Sequence, residues 1–155
     1  MIVVSDTSVI TSLIQIGRAT LLQELYGAVL IPPAVQEELL RSHVTLPSFL
    51  QVRQAENRQM VARLEAELDL GEAEAIALAK EISADLLLID EKLGRQIAVR
   101  EGLRIAGLIA LVVEAKQRGI VRSVREFVKQ LELEAGFRLS DSVKQEAFRR
   151  AGELE

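Results

Sequence analysis

Short aliphatic runs separated by helical stretches constrain the fold of this chain more than any other feature. Strand-like runs lie at 2–4, 28–31 and 86–89, with weaker candidates at 50–53 and 103–106. Runs of Val, Ile and Leu without polar interruption are typical of strands that are buried on both faces of a parallel sheet. Because apolar residues at helical spacing fill the intervals between the runs, the sequence predicts an α/β fold.

The helical stretches also predict how the chain is divided. A chain of 155 residues suits one domain, and we expect a single domain over 1–155. Its core covers about 1–120, and 121–155 form a C-terminal extension of two amphipathic helices. Helical patterns lie at about 7–16, 18–25, 33–42, 57–67, 72–82, 92–101, 108–117, 122–132 and 140–151.

Composition excludes several kinds of site. The chain has no Cys, which excludes disulfides, thiolate zinc sites and thiol catalysis, and a reducing cytoplasm is the expected location. The single His43 makes histidine-based zinc chemistry and a Ser-His-Asp triad weak proposals. Aromatic residues make up only 3% of the chain, which argues against a base-stacking platform. No apolar run is long enough to suggest a membrane span.

Carboxylates follow two of the predicted strands at the point where each strand ends. Asp6 comes after the first aliphatic run, and Asp90 and Glu91 come after the run at 86–89. Open α/β sheets bind their ligands at the carboxyl ends of the strands. Oxygen ligands alone suit Mg²⁺ or Mn²⁺, so the sequence predicts a site for a divalent cation at this edge.

Two predicted helices carry further acids, and helical geometry separates the inward from the outward ones. At about 100° per residue, Glu38 flanks the buried stripe of its helix, whereas Glu37 faces water. In the helix at 72–82, Glu72 lies on the side of Ile76. Glu74 lies about 160° away from Ile76 by the same construction, so Glu72 is predicted to be the inward member of the pair.

Each acid also has a purely structural explanation. Asp6 could cap the first helix, and Asp90 could cap the helix that begins with Lys92. Glu72 in a first helical turn is favoured by the helix dipole with no metal present. Glu38 could extend to solvent from the edge of its apolar stripe. A shared metal site is favoured because all four acids are predicted to point towards one edge of the sheet.

The acids lie within an ordered set of motifs. These are Asp6-Thr7-Ser8, Pro33-x-Val35-x-x-Glu38, the segment Gly71-Glu72-Ala73-Glu74-Ala75-Ile76-Ala77-Leu78-Ala79, Leu87-Leu88-Ile89-Asp90-Glu91-Lys92-x-Gly94-Arg95, Gly107-Leu108 and Ala115-Lys116-x-x-Gly119. Over about residues 1–120 this set resembles the PIN domain, and most closely the branch similar to VapC-type toxin ribonucleases.

The resemblance implies an α/β/α sandwich with a four- to five-stranded parallel sheet, and an acidic pocket that binds Mg²⁺ or Mn²⁺ and cuts single-stranded RNA. The family pattern implies roles for individual residues: Asp6, Glu38 and Asp90 are metal-site acids, Glu72 is a further member, and Ser8 or less readily Thr7 is a supporting hydroxyl. The family usually has another acid where this chain has Ala106-Gly107-Leu108, and Glu91 is the candidate substitute. One and two metal ions both remain open.

The expected reaction is hydrolysis of an RNA phosphodiester by metal-activated water. Lys92 and Arg95 begin the helix after Asp90 and are candidates for binding the flanking RNA phosphates. The resemblance further implies a small antitoxin as partner and a homodimer.

Two alternatives remain open at this stage. One is a catalytically weak PIN-like interaction module. The other is a phosphoacceptor receiver domain, which has adjacent acids at its first strand and a Lys on its last. Val124, Phe127, Val128 and Leu131 could dock a partner, but packing against the chain's own sheet is favoured.

Overall fold

The structure is a computed structural model that describes residues 1–154, and within this range the chain forms five strands and nine helices. The strands are β1 (Val3–Ser5), β2 (Val29–Ile31), β3 (Leu50–Val52), β4 (Leu86–Leu88) and β5 (Ile105–Ala106). The helices are α1 (Thr7–Gln15), α2 (Thr20–Tyr26), α3 (Pro33–Ser42), α4 (Arg58–Glu65), α5 (Leu70–Glu81), α6 (Lys92–Arg100), α7 (Leu108–Gln117), α8 (Val124–Glu134) and α9 (Asp141–Arg150).

All five strands form one parallel sheet in the order β3-β2-β1-β4-β5. The predicted α/β fold is confirmed, and both weaker strand candidates are present as the two edge strands. In the centre, Val3 pairs with Leu86, Val4 with Leu87 and Ser5 with Leu88. Strand order therefore reverses direction between β1 and β4, which in open α/β sheets marks the crevice where ligands bind.

Successive side chains of each strand point to opposite faces of the sheet, and this divides the core into two layers. Val3, Leu86 and Leu88 face a cluster that includes buried residues of α1, α2, α3, α7, α8 and α9. Val4 and Leu87 face the other way, into a cluster built with residues of α4, α5 and α6. Side chains of a strand point to opposite faces in turn, so the aliphatic runs supply both cores of an α/β/α sandwich.

The last two helices pack on the first of these cores. The apolar stripe formed by Val124, Phe127, Val128 and Leu131 is buried within this chain, as the favoured sequence interpretation predicts. Glu153 holds the chain end to the start of α8, since its Oε2 accepts a hydrogen bond of 2.6 Å from the Val124 backbone N–H. Across residues 1–154, no helix has the length and apolar character needed to cross a membrane.

One helix boundary matters for the site. Helix α5 begins at Leu70, two residues before the predicted start. Asp69 precedes it, and the Asp69 carboxylate accepts a hydrogen bond of 2.8 Å from the Glu72 backbone N–H. An Asp at this position satisfies a backbone donor that the helix itself cannot pair. The cap therefore fixes where α5 begins and which way Glu72 faces.

Candidate active site

Asp6 and Asp90 stand at the crevice between β1 and β4. Asp6 follows β1 directly, and its backbone N–H donates to the Leu88 carbonyl oxygen at 2.9 Å, which extends the strand pairing to the base of the site. Asp6 is only 4% exposed. Its carboxylate makes no side-chain capping bond to α1. Asp6 occupies the N-cap position of α1 without a side-chain capping bond, so capping alone does not explain why it is buried.

Asp90 lies shortly before α6 in the sequence, but its carboxylate is hydrogen-bonded to α7. Its Oδ1 accepts a hydrogen bond of 2.9 Å from the Leu108 backbone N–H, at the first residue of α7. Glu91, and not Asp90, occupies the capping position of α6, without a side-chain capping bond. The alternative in which Asp90 caps the helix beginning with Lys92 is therefore wrong. Its Oδ2 remains buried with no hydrogen-bond partner.

Glu38 and Glu72 lie on helices, whereas Asp6 and Asp90 follow strands. Glu72 lies in the first turn of α5 and is buried, whereas Glu38 lies on α3 and is half-buried. Glu37 is exposed and forms a surface ion pair with Arg41, as the helical geometry predicts. The orientation of Glu38, Glu37 and Glu72 is thus confirmed.

Glu74 corrects the sequence analysis. The helical angle predicted that Glu74 would lie on the far side of α5 from the core, but it is 4% exposed. Its Oε1 accepts from the Ala34 backbone N–H at 2.9 Å, and its Oε2 lies 2.8 Å from Nη2 of Arg58. Helix α5 contacts α3 and α4 as well as the sheet, so every residue from Gly71 to Ala79 is buried. The side of α5 that carries Glu74 therefore packs against other helices, and Glu74 forms an ion pair with Arg58 there.

Three glycines leave room for three of the acids. A Cβ at Gly71 would collide with Oε1 of Glu38. At Gly94 it would lie 2.6 Å from Oε2 of Glu72, and at Gly107 it would lie 2.5 Å from Oδ1 of Asp90. Contacts this short do not occur for real side chains, so each glycine forms part of the wall against which one carboxylate lies.

The acids are close enough to one another to change their protonation. Burial raises the pKa of Asp6 to about 7, and the negative charges of Asp69, Glu38 and Glu91 add to the rise. The Thr7 backbone N–H acts in the opposite direction and lowers this pKa. Burial raises the pKa of Glu72 to about 8, with Asp69 and Asp6 as further causes. Like charges that share a site disfavour joint ionisation, so part of this pocket is protonated at neutral pH.

The remaining two acids differ in their neighbours. Burial raises the pKa of Glu38, and Asp69 raises it further. Burial also raises the pKa of Asp90, but the Leu108 N–H and the Arg95 guanidinium oppose this rise. Asp69 acts on Asp6, Glu38 and Glu72, which therefore form one electrostatic group. Asp90 shares only Glu91 as an acidic neighbour, with Asp6 and Glu72.

Asp69 is the acid that the sequence analysis missed. Its negative charge contributes to the raised pKa of Asp6, Glu38 and Glu72. The signal was present in the sequence, because an Asp three residues before Glu72 is the arrangement of a helix cap. The motif that carries the family resemblance begins at Gly71, and Asp69 lies in the connection before it.

Hydroxyls and cations complete the surroundings of the pocket. The Oγ1 of Thr7 and the Oγ of Ser8 are both buried without a hydrogen bond of ordinary length, although the Thr7 hydroxyl is near enough to Glu38 to oppose the rise in the pKa of that carboxylate. Lys92 and Arg95 lie exposed on the first turns of α6. At Gly107, in place of the expected further acid, a Cβ would lie 2.6 Å from Nη1 of Arg95. A cation thus occupies the region where the family resemblance led us to expect a further acid.

The donor atoms fit a divalent cation that prefers oxygen. Five buried side-chain polar atoms lack a partner within residues 1–154; four belong to this site, and the fifth is Nε2 of His43. The four are Oγ1 of Thr7, Oγ of Ser8, Oε2 of Glu72 and Oδ2 of Asp90. Buried polar atoms are normally paired, and a bound ion or water is one reason for exceptions. Carboxylate and hydroxyl oxygens are ligands of Mg²⁺ and Mn²⁺.

The acid side chains do not form a complete set of metal ligands in this structure. In the part of the chain that the structure describes, no three His, Asp or Glu side chains are arranged as a formed metal site.

Comparison with known proteins agrees with this architecture. A family model, DUF3368, which is described as a PIN domain, matches residues 2–153. No curated protein and no solved structure matches the chain at a significant level. The match includes both acid-bearing strand ends, the two acid-bearing helices and the C-terminal pair α8 and α9, and it covers nearly the whole chain. The chain therefore belongs to the PIN domain family.

Proposed function

We propose that this protein is an Mg²⁺- or Mn²⁺-dependent endoribonuclease that cleaves single-stranded RNA at the pocket of Asp6, Glu38, Glu72 and Asp90. PIN domains are generally nucleases and typically use divalent metal ions, which supports nuclease activity. The observation that carries the proposal is the set of carboxylates from four separate segments at one crevice, with buried oxygens that have no protein partner.

Each residue has a proposed role. Asp6, Glu72 and Asp90, with Glu38, would hold the ion through carboxylate oxygens, and Ser8 or Thr7 would orient them. When bound, Mg²⁺ or Mn²⁺ supplies positive charge that neutralises the scissile phosphate and favours ionisation of an attacking water.

The protein groups can also handle protons and RNA phosphates. The pKa of Glu72, about 8, and that of Asp6, about 7, belong to the metal-free pocket, so a cation that binds there would displace protons from these two groups. Glu91 at the rim replaces the acid that is absent at Gly107. Lys92 and Arg95 would contact phosphates on the RNA strand next to Asp90.

Cleavage of labelled single-stranded RNA tests the proposal. The parental protein is expected to cut in Mg²⁺ or Mn²⁺ and to stop when a chelator is added. Asp6→Asn and Glu38→Gln are expected to lower the rate at least about 100-fold, the size of effect expected when a catalytic group is lost. Glu37→Gln is the matched control, because Glu37 neighbours Glu38 but is exposed. Parental cleavage by Asp6→Asn would refute the proposal.

The interaction-module alternative has its own outcome in this experiment. Metal binding without cleavage of several unrelated single-stranded RNAs would favour that role over catalysis. The receiver-domain alternative is set aside, because the chain belongs to the PIN family and, within the described residues, Gly107 follows β5 where a receiver needs a Lys.

We also propose that the enzyme is the toxin of a toxin–antitoxin pair and acts as a homodimer. The VapC-like order of motifs from Asp6 to Gly119 supports this finer assignment. Induced expression of the parental protein should arrest growth, and Asp6→Asn should not. Co-expression of a small protein encoded beside it should restore growth, and sedimentation should give twice the chain mass. Normal growth with an active parental enzyme would contradict the toxin role and leave the nuclease assignment intact.

A further inference from the structure

A cavity of about 550 Å³ adjoins the acidic pocket on the side of β5 and α9. Asp90, Arg95 and Gly107 are among its lining residues, so it lies directly beside one of the proposed catalytic acids. Pockets of some 300–1,000 Å³ accommodate small organic ligands. The Asp90 carboxylate and the Arg95 guanidinium lie against Gly107, where a Cβ would collide with both.

The walls of the cavity are mostly apolar. Ile109 of α7 and Val143 of α9 line it, together with Phe137 and Leu139 from the connection between α8 and α9. Phe137 is half-buried and Val143 is 45% exposed, so the apolar surface is accessible from solvent. One accessible aromatic ring among aliphatic side chains can stack with a single base, although the chain has too few aromatics for an extended stacking surface.

The charged groups at its rim favour an anionic ligand. Glu146 lines the cavity, but both of its oxygens are bonded to Arg149. Arg95 and Arg150 also line it, and neither forms an ion pair of hydrogen-bonding length within residues 1–154, although Arg95 acts on the nearby Asp90 carboxylate and Arg150 on Glu146. Two guanidinium groups beside an apolar cavity match a phosphate joined to a base, because guanidinium binds phosphate oxygens bidentately.

We propose that this cavity is a nucleotide subsite that binds the base and phosphate next to the bond being cut. The subsite rests on the proposed nuclease function, since Asp90 belongs to both sites. Phe137, Leu139 and Val143 contact the base, and Arg95 and Arg150 contact its phosphate. A preference for particular bases beside the cleaved bond follows from this arrangement, because the phosphate contacts position the strand and the cavity reads the base.

Titration with each of the four nucleoside 5′-monophosphates, followed by methyl NMR of the full chain without added metal, tests the subsite directly. Saturable shifts are expected at the methyl groups of Ile109, Leu139 and Val143, and none at Val99, an exposed residue of α6. The absence of saturable shifts at the cavity methyls with all four nucleotides at millimolar concentration would overturn the proposal.

Variants then connect the cavity to catalysis. Val143→Glu places a carboxylate at the apolar rim and should raise KM for RNA at least about fivefold, the lower end of the effect of losing one stacked base. The value of kcat should be little changed. Val99→Glu is the matched control, at a similarly exposed valine outside the cavity. Arg150→Gln gives a second test that adds no charge, and both variants should keep the parental melting temperature.

The outcomes separate this proposal from the nuclease assignment. If the protein cuts RNA but Val143→Glu and Arg150→Gln keep the parental KM and base preference, the subsite is wrong and the nuclease stands. If nucleotides shift the cavity methyls but no RNA is cut, the nuclease assignment is wrong and the nucleotide site stands. If Val143→Glu changes the oligomeric mass and leaves nucleotide binding unchanged, the cavity is a protein interface and the proposal fails.

Discussion

The Glu74 carboxylate lies 2.8 Å from the Arg58 guanidinium, whereas Glu72, two residues earlier on the same helix, has no such cation. Both residues are buried, so burial alone does not separate a structural acid from a proposed catalytic one. Glu74 is also bonded to the Ala34 backbone N–H. The difference in partners predicts opposite consequences for the same change of Glu to Gln.

Glu74→Gln is expected to destabilise the protein by about 1–3 kcal/mol, the usual cost of leaving buried polar partners imperfectly paired. Its cleavage rate below the melting transition should stay near that of the parental protein. Glu72→Gln is expected to abolish cleavage without lowering the free energy of unfolding. Denaturant unfolding and RNA cleavage, measured on both variants, check the pair. If both variants are fully folded and lose cleavage to the same extent, Glu74 also belongs to the site.

Asp6→Asn should stabilise the metal-free protein in a pH-dependent way. The pKa of Asp6 is raised from 3.8 to about 7, so the folded state binds this proton more tightly than the unfolded state does. The stability that the raised pKa contributes is fully present below about pH 4 and is lost as pH rises to about 7. The Asn variant does not ionise, and it should exceed the parental stability by about 1–3 kcal/mol at pH 8 and by much less at pH 5.

Thermal or urea unfolding of both proteins in chelator, at the two pH values, measures this difference. Glu37→Gln serves as the control, since an exposed acid should change stability little at either pH. An advantage of Asp6→Asn that is the same at pH 5 and pH 8 would show that charge repulsion in the pocket is not its cause.

The glycines that border the acids should respond differently to alanine. At Gly94 a Cβ would lie 2.6 Å from Oε2 of Glu72 and 2.8 Å from Cδ1 of the fully buried Ile89. Gly94→Ala should therefore lower the free energy of unfolding by about 1–3 kcal/mol through overpacking. It should also lower the rate of RNA cleavage. At Gly107 a Cβ meets only the ends of Asp90 and Arg95. Gly107→Ala should lower cleavage with a smaller loss of stability.

Melting temperatures and single-turnover cleavage rates of these two variants provide the comparison. Full activity of Gly107→Ala would contradict the view that the position of Asp90 depends on the missing side chain.

Much of the fold follows from local patterns in the sequence. The aliphatic runs and the helical spacing predicted every strand and helix found in residues 1–154, because each pattern reflects burial on a known face. The orientation of Glu38 and Glu72 followed in the same way. The prediction for Glu74 was wrong for an equally physical reason: an angle on a helix shows separation from one stripe, and α5 is buried on several sides.

Other parts of the site depend on how distant segments meet. The bond from the Leu108 N–H to Asp90 joins residues that are 18 positions apart, and no local pattern predicts it. The cavity beside Gly107 depends on the path of the connection between α8 and α9, which places Phe137 and Leu139 opposite α7. Such contacts are set by packing of whole elements and not by the properties of any one of them.

Calorimetric titration with Mn²⁺ tests the central claim most directly, namely that the acids at the β1–β4 crevice bind a divalent cation together. The parental protein at pH 7 is expected to bind Mn²⁺ saturably with release of protons, because the raised pKa values of Asp6, about 7, and Glu72, about 8, leave both partly protonated at that pH. Asp6→Asn should bind at least about tenfold more weakly, and Glu37→Gln should bind as the parental protein does. Absence of binding to the parental protein, or equal binding by Asp6→Asn, would contradict the account.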